Sequence, residues 1–159
     1  MTRVVVLGRG GAGKSTLAAR LGAILDLPVV ELDEHFWGPD LAPTPKDEWA
    51  RKQRLLTGGS RWVLDGDLGP YDVLPARLRA VDTVIVLDFP LWLCASRAVR
   101  RSRANLDFWR WVLTYRRRSL PAVRAAITEH ADQAQVHVLR TQREVDELLR
   151  RAAGGAPSR

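Results

Sequence analysis

Apolar residues are concentrated in five short runs, and between the runs they recur at intervals of three or four positions. The first and fourth runs are almost continuously apolar, which is typical of parallel strands buried on both faces of a sheet. The intervening stretches have the spacing of amphipathic helices. The pattern predicts strands at residues 3–7, 29–32, 61–65, 83–88 and 135–139. Strands that alternate with helices predict an α/β fold with a parallel sheet and right-handed crossovers.

Capping and turn residues set the expected helix ends. Thr44 as N-cap and Pro45 at the first helical position predict a helix that stops at two glycines. Pro121 is expected to bend or interrupt a long helical stretch, and Thr141 with Glu144 forms a capping box. The expected helices cover residues 14–25, 45 to the glycines at 58 and 59, 70–80 (a short helix or turn), 90–103, 105–130 and 141–152.

The first strand leads into a glycine-rich segment that fits the pattern G-x-x-x-x-G-K-[ST] at every fixed position. A strand, this loop and a helix in succession indicate a phosphate-binding loop rather than an empty glycine turn. Glycines bring backbone N–H groups close to a phosphate, and the helix N-terminus adds partial positive charge. Lys14 is expected to contact the β- and γ-phosphates of ATP, and Ser15 to offer its hydroxyl to Mg²⁺. The expected ATP-binding residues here are Gly8, Gly10, Gly11, Ala12, Gly13, Lys14, Ser15 and Thr16.

Length and cysteine content predict a single cytoplasmic domain. The chain has 159 residues, enough for one domain with its own core. The single cysteine, Cys94, excludes an intrachain disulfide and favours a reducing compartment. No apolar stretch approaches the ~20 residues of a membrane span. The run at residues 4–7 is too short for a signal peptide.

Acidic residues follow several predicted strands, and ligands of parallel sheets bind at the carboxyl ends of the strands. Asp65 and Asp88 are candidate Mg²⁺ ligands. The longer apolar run before Asp88 favours it, although either acid could instead cap a helix. Asp33, followed by Phe36 and Trp37, predicts a corner that binds a phosphate acceptor. The alternative for this corner is a turn acid followed by two core aromatics.

The net charge is +7, and lysine occurs only at positions 14, 46 and 52, so arginine supplies most of the positive charge. Arginine clamps phosphates, but it also marks nucleic-acid binding, and biased composition would produce it too. Arg97 and Arg101 share a helix face and could reach one phosphoryl group. The same two helices also contain Arg100, Arg103, Arg110, Arg116, Arg117 and Arg118. Aromatic residues between these arginines have the spacing of a core-facing stripe more than of a base-stacking platform: Phe108, Trp109, Trp111 and Tyr115.

The chain resembles the P-loop nucleotide and small-molecule kinases, and more narrowly the adenylate-kinase-like DNA topology modulation (FlaR-like) proteins. The resemblance covers nearly the whole chain, through residues 8–15, 32–37, 62–67, 87–94, 108–119 and 138–145. It implies a three-layer fold with helices on both faces of a five-stranded sheet of order 2-3-1-4-5. It also implies a domain at residues 1–153, a lid-like segment at about 97–119 and a flexible tail at 154–159.

The resemblance also implies roles for individual residues. Asp65 would be the acid near Mg²⁺ in place of Asp88, because the third strand of that fold lies beside the first. Arg97 and Arg101 would begin the lid, one packing on the adenine and the other reaching the phosphates. Arg140 would lie near the adenine.

Three departures from the family pattern concern the lid and the acceptor. Only residues 102–107 separate the two arginine runs, which predicts a short lid that excludes water less well. Relatives usually read D-G-N-Y where this chain has D-G-D-L at residues 65–68, so Asp67 is an additional acid. No arginine clearly matches the one that binds nucleoside monophosphates in adenylate kinases.

Together these observations predict an ATP- and Mg²⁺-dependent kinase that phosphorylates a small acceptor, without membrane association, as a monomer or homodimer. Lys14, Arg97 and Arg101 would stabilise transferring charge, Ser15 and Asp65 would place the metal, and Asp33 would orient or deprotonate an acceptor hydroxyl. The alternatives are a nucleotide-binding regulator that contacts DNA or RNA through its arginine-rich helices, and an NTP-binding scaffold without turnover.

Overall fold

The computed structural model describes residues 1–38, 40, 42–101 and 106–154, excluding the side chains of residues 100, 101 and 107. The predicted tail lies almost wholly outside this part of the chain. Five parallel strands form one sheet in the order β2-β3-β1-β4-β5. The strands are β1 Arg3–Gly8, β2 Val29–Glu31, β3 Trp62–Asp65, β4 Thr83–Leu87 and β5 Gln135–Leu139. The predicted fold class and strand order are therefore confirmed.

Seven α-helices and one 3-10 turn connect the strands in the described part of the chain. They are α1 Lys14–Leu25, α2 Leu32–Phe36, α3 Lys46–Leu56, the 3-10 turn Gly69–Tyr71, α4 Pro75–Leu78, α5 Leu91–Arg101, α6 Leu106–His130 and α7 Gln142–Gly154. None of the described helices is long and apolar enough to cross a membrane.

Both faces of the sheet are covered, which explains why the central strands are apolar at successive positions. Val4 and Val6 of β1 pack in a cluster with residues of α1 and α7. Val5 and Leu7 point to the opposite face, into a cluster with residues of α3, α4 and α6. Burial of each such side chain stabilises the folded state by roughly 1.5–3 kcal/mol. The strand at the centre is thus fixed from both sides.

Strand register brings the candidate site together. Val6 of β1 lies opposite Asp65 of β3, and Gly8 lies opposite Leu87 of β4. Because all three strands are parallel, the glycine loop leaves β1 between the ends of β3 and β4. Asp65 therefore flanks the loop on one side, and Asp88 follows β4 on the other.

The expected end of the second strand at residue 32 and the expected N-cap of α3 were wrong. Residues 32–36 form the short helix α2, because Leu32 and Phe36 are four positions apart and both are buried. Thr44 does not cap α3: its hydroxyl donates to the Phe36 carbonyl, and Pro45 precedes the helix without a side-chain cap. The threonine therefore ties α3 to α2.

Helix α6 continues through Pro121, where a bend or break was expected. Proline lacks only its own N–H, so the Arg117 carbonyl loses its helical partner. Both residues are exposed, and water can satisfy that carbonyl. The capping box before α7 is confirmed, because Glu144 accepts the Thr141 amide at 3.0 Å and its own amide donates to the Thr141 hydroxyl at 3.3 Å.

A buried ion pair joins α4 to the segment that precedes it. Arg77 is 0% exposed, and its Nη1 and Nη2 lie 2.6 and 2.7 Å from the Asp72 carboxylate oxygens. Gln53 of α3 and the Gly66 carbonyl accept further hydrogen bonds from the guanidinium. Burial raises the pKa of Asp72, but the charge and hydrogen bonds of Arg77 outweigh this and hold the pKa below its ordinary value. Both terminal nitrogens of Arg77 are engaged inside the fold, and its buried Nε has no hydrogen-bond partner among the described residues.

Candidate active site

The glycine loop has a backbone that side chains would prevent. Gly11 has φ +78°, and a Cβ atom there would lie 2.2 Å from the Cys94 carbonyl oxygen. Gly13 has φ +93° and caps α1 in the left-handed conformation. Glycine adopts these angles without strain. The loop can therefore curve tightly at the N-terminus of α1, where backbone N–H groups and the helix dipole favour an anion.

Lys14 rests against the loop itself. Its Nζ donates a hydrogen bond of 3.3 Å to the Arg9 carbonyl and lies 6.0 Å from the centre of the Trp111 ring. Neither partner carries a negative charge, so the ammonium remains available to a phosphate.

Ser15 and Asp65 come together beside Lys14. The Ser15 hydroxyl lies close enough to the Asp65 carboxylate to act on its pKa, and Asp65 is only 4% exposed. Burial raises the pKa of Asp65; the Ser15 hydrogen bond and Lys14 oppose the rise, and Asp33 adds to it. Its buried Oδ1 atom has no hydrogen-bond partner among the described residues.

The side chains of Ser15 and Asp65 have the chemistry expected of Mg²⁺ ligands. A hydroxyl and an unpartnered carboxylate oxygen are hard oxygen donors of the kind this ion prefers. Within the described residues no three His, Cys, Asp or Glu side chains form a metal-binding group. A magnesium ion here would therefore also need phosphate oxygens, as in nucleotide sites.

Asp88, the other candidate acid, is engaged by arginines. Its Oδ1 lies 2.8 Å from Nε of Arg116, and its Oδ2 lies 3.8 Å from Nε of Arg140. The structure thus places Asp65, and not Asp88, next to Ser15.

A cavity of about 340 Å³ opens beside the loop and is of the size of small-molecule sites. Arg97 enters it from α5: its Cζ lies 5.7 Å from the Phe89 ring centre, and its Nη1 lies 3.7 Å from where a Cβ atom of Gly13 would be. Other lining residues include Ala12, Thr16, Arg20, Gln142 and Val145.

The cavity differs in part from the sequence prediction. Arg140 contacts Asp88, and Gln142 at the start of α7 lines the cavity where Arg140 was expected. Phe89 and Gln142 were missed. The position of Phe89 directly after β4, at the carboxyl edge of the sheet, was the available signal. The side chain of Arg101, the second predicted lid arginine, lies outside the described part of the structure.

The predicted acceptor corner combines core and surface aromatics. Phe36 is buried and packs edge-on against Trp49, with ring centres 5.1 Å apart. Trp37 and Tyr71 are 37% and 44% exposed, and their ring centres lie 6.1 Å apart. Asp33 is exposed in the first turn of α2 and close enough to Asp65 to raise the pKa of that acid. The carboxylate and the two exposed rings could contact a small molecule.

Helix α6 lies over the glycine loop. Phe108 packs so closely on Gly10 that a Cβ atom there would lie 2.5 Å from Cζ of the ring. Trp111 packs in the same way on Gly69, in the loop after β3. Phe108, Trp111 and Tyr115 of the aromatic stripe therefore face inward, as expected, but part of what they cover is the glycine loop.

Asp67 connects the loop, the end of β3 and α6. Its Oδ2 accepts hydrogen bonds from the Gly8 amide at 3.3 Å and the Tyr115 hydroxyl at 2.8 Å, and Oδ1 accepts from the Gly69 amide at 3.0 Å. Burial raises the pKa of Asp67, and Lys14 opposes the rise. Burial, followed by the charge of Asp67, also raises the pKa of Tyr115. The additional acid noted in the sequence is thus buried in a structural junction.

Comparison with known proteins identifies the fold. No protein-family model matches the chain, and no curated protein sequence matches it. Shikimate kinase from Acinetobacter baumannii in complex with shikimate is similar over 95% of this chain and 90% of its own, with 17% identity and TM-score 0.62. Shikimate kinase from Bacteroides thetaiotaomicron is similar over 94% of this chain and 95% of its own, with 15% identity and TM-score 0.59. An unliganded sugar kinase from Janibacter sp. HTCC2649 is similar over 99% of this chain and 100% of its own, with 20% identity and TM-score 0.55.

The chain therefore has the fold of small-molecule P-loop kinases. The similarity spans nearly the full length of this chain and of each similar structure. Because the sequence identity is low, it concerns the fold alone. The narrower resemblance to FlaR-like proteins remains a prediction.

Proposed function

We propose that the protein is an ATP- and Mg²⁺-dependent phosphotransferase that moves the γ-phosphoryl group to a hydroxyl of a small acceptor. The observation that carries the proposal is the arrangement at the end of β1. Among the described residues Lys14 has no carboxylate hydrogen-bond partner, Ser15 lies beside buried Asp65, and the loop opens on a cavity that could hold a base. Motors and switches share such loops, but the fold is that of small-molecule kinases.

The transfer requires positioning and charge neutralisation more than covalent chemistry. Lys14 would leave the Arg9 carbonyl for the β- and γ-phosphates, while Arg97 would hold the base against Phe89. Arg101 is proposed to add charge to the transferring group. Ser15 and Asp65 would hold Mg²⁺, which supplies neutralisation of phosphate charge when bound.

The acceptor side supports a hydroxylated molecule. Asp33 could accept a hydroxyl proton, and Trp37 with Tyr71 offers an exposed apolar wall. Arg77 comes shortly after Tyr71 in the sequence, but it forms a buried ion pair with Asp72. It therefore offers no charge to an anionic acceptor. The shikimate kinase and sugar kinase structures that the chain resembles are also named for hydroxylated molecules.

The test is ADP formation from ATP and Mg²⁺ with a panel of polyols, sugars, sugar acids and nucleosides. Wild type should form ADP with at least one acceptor, and Lys14→Ala should abolish turnover while it unfolds at the wild-type temperature. Lys46→Ala, at the exposed start of α3, is the matched control. ATP binding without turnover on any acceptor would favour the scaffold, and a folded Lys14→Ala protein with normal turnover would refute the proposal.

A second candidate function is nucleic-acid contact by a nucleotide-binding regulator. It is favoured by the exposed side of α6, which presents Arg110, Arg117, Arg118 and Arg124. Among the described residues no carboxylate lies within ion-pair distance of them. Binding to duplex DNA should then weaken steeply with salt, and replacing these arginines by glutamine should reduce the salt slope. A protein that does not bind DNA at low salt excludes this function.

A further inference from the structure

The second residue of the glycine loop carries a buried charge. Arg9 is 1% exposed, and its Nε and Nη2 atoms are buried without a hydrogen-bond partner among the described residues. Its guanidinium lies 5.5 Å from the centre of the Tyr115 ring, between the loop and the helix α6 that covers it. The loop pattern leaves position 9 open to any residue, so this burial could not be predicted from the pattern.

An unpaired buried cation is costly. Removing a guanidinium from water has a large desolvation penalty, and a cation–π contact returns only part of it. The fold treats its other buried arginine differently, because Arg77 has the Asp72 carboxylate, Gln53 and the Gly66 carbonyl as partners. Both guanidinium groups are inaccessible, yet within the described part of the chain only Arg77 has a carboxylate at ion-pair distance.

The surroundings of Arg9 are rich in cations. Burial raises the pKa of the Cys94 thiol, and four nearby cations oppose the rise: Arg9, Arg97, Lys14 and Arg116. Two acids act on Tyr115 alongside Arg9. Asp88 is paired with Arg116 and Arg140, and Asp67 accepts hydrogen bonds from two amides and the Tyr115 hydroxyl. Among the described residues no carboxylate lies within ion-pair distance of Arg9, so an anion could offset its charge.

We propose that Arg9 is a phosphate-binding determinant of the loop: its charge is left without a carboxylate because the phosphate groups of the bound nucleotide supply the counter-charge. This inference rests on the proposed function, since it assumes that the loop binds a nucleotide. In low dielectric the attraction acts over several ångströms, so it does not require direct contact. The structural alternative is that Arg9 only clamps α6 through Tyr115.

The two roles predict opposite effects of Arg9→Met, which keeps the apolar length and removes the charge. If phosphate supplies the counter-charge, the ligand-free variant should unfold at or above the wild-type temperature and bind phosphate more weakly. If Arg9 is a clamp, the variant should unfold at a lower temperature and bind phosphate as wild type does. Arg79→Met, exposed between α4 and β4, removes the same charge elsewhere.

The experiment combines thermal unfolding of the ligand-free proteins with calorimetric titration by tripolyphosphate and by adenosine. Arg9→Met should bind tripolyphosphate about ten- to a hundredfold more weakly. Its affinity for uncharged adenosine, and both affinities of Arg79→Met, should match wild type. Tripolyphosphate affinity within about twofold of wild type, or equal losses for both ligands, would overturn the inference.

If Arg9→Met does not fold, an NMR titration of the wild-type protein tests the inference instead. The Nε–H resonance of Arg9, assigned by its absence in Arg9→Lys, should move on addition of tripolyphosphate and not of adenosine. A resonance that stays in place overturns the inference. A wild type that binds no tripolyphosphate removes the proposed function as well, whereas binding that needs Lys14 but not Arg9 removes this inference alone.

Discussion

The hydroxyl of Tyr115 donates a hydrogen bond of 2.8 Å to Oδ2 of Asp67, the same oxygen that accepts the Gly8 amide at 3.3 Å. One carboxylate thus holds both the last residue of β1 and the helix that covers the phosphate loop. Tyr115→Phe would leave this buried acceptor short of one donor and should lower the free energy of unfolding by about 1–3 kcal/mol in urea titrations. Tyr71→Phe, on an exposed ring, should change it by less than about 0.5 kcal/mol. Equal losses in both variants would show that the bond does not stabilise the fold.

Asp72 should make stability depend on acid pH. Its folded pKa lies below the ordinary value of 3.8, so its stabilising contribution is present above that pH and is lost as pH falls through the folded pKa. Asp72→Asn should cost about 3–5 kcal/mol at neutral pH, because Arg77 would keep its charge without a counter-charge. The difference from wild type should shrink in acid, as measured by urea unfolding at a series of pH values. The exposed Asp47→Asn is the control, and a difference that stays constant with pH would contradict the prediction.

Asp65 and Asp88 should differ in how much they contribute to the strengthening of ATP binding by Mg²⁺. Asp65 touches Ser15, whereas Asp88 is held by Arg116 and Arg140. In calorimetric titrations, Mg²⁺ should strengthen ATP binding to wild type and to Asp88→Asn. Asp65→Asn should lose that enhancement by about tenfold or more. The reverse pattern would assign the metal to Asp88.

Arg97 should matter for nucleotide affinity. It lines the cavity with its guanidinium over Phe89 and near Gly13. Arg97→Met should weaken ADP binding by about tenfold, through loss of stacking on the base and of charge near the phosphates. Arg143→Met on the exposed side of α7 should bind ADP as wild type does. Unchanged affinity in Arg97→Met would mean that the cavity is not the base site.

The sequence predicted the features that depend on local pattern. Continuous apolar runs gave the strands, because both faces of the sheet are covered, and the glycine loop was visible because its chemistry needs fixed spacing. The strand order came from the resemblance and not from periodicity. The start of α3 was misread because the Thr44 hydroxyl bonds to the Phe36 carbonyl.

Long-range packing hid other parts of the site. Arg9 lies against Tyr115, which is more than a hundred positions later in the sequence. Neither residue carries a local signal of this contact. The same holds for Asp67, whose three donors come from separate parts of the chain.

The anchoring of α6 determines how the glycine loop can be uncovered. Phe108 near one end of the helix covers Gly10, while Tyr115 in the same half and Val123 and Ile127 beyond Pro121 all lie in the core. Pro121 provides no amide to the helical ladder, so bending is easiest there. A swing of the first half about this point would therefore also have to break the Tyr115–Asp67 hydrogen bond and expose the Tyr115 ring. Uncovering the loop and opening the junction at Asp67 are thus a single event.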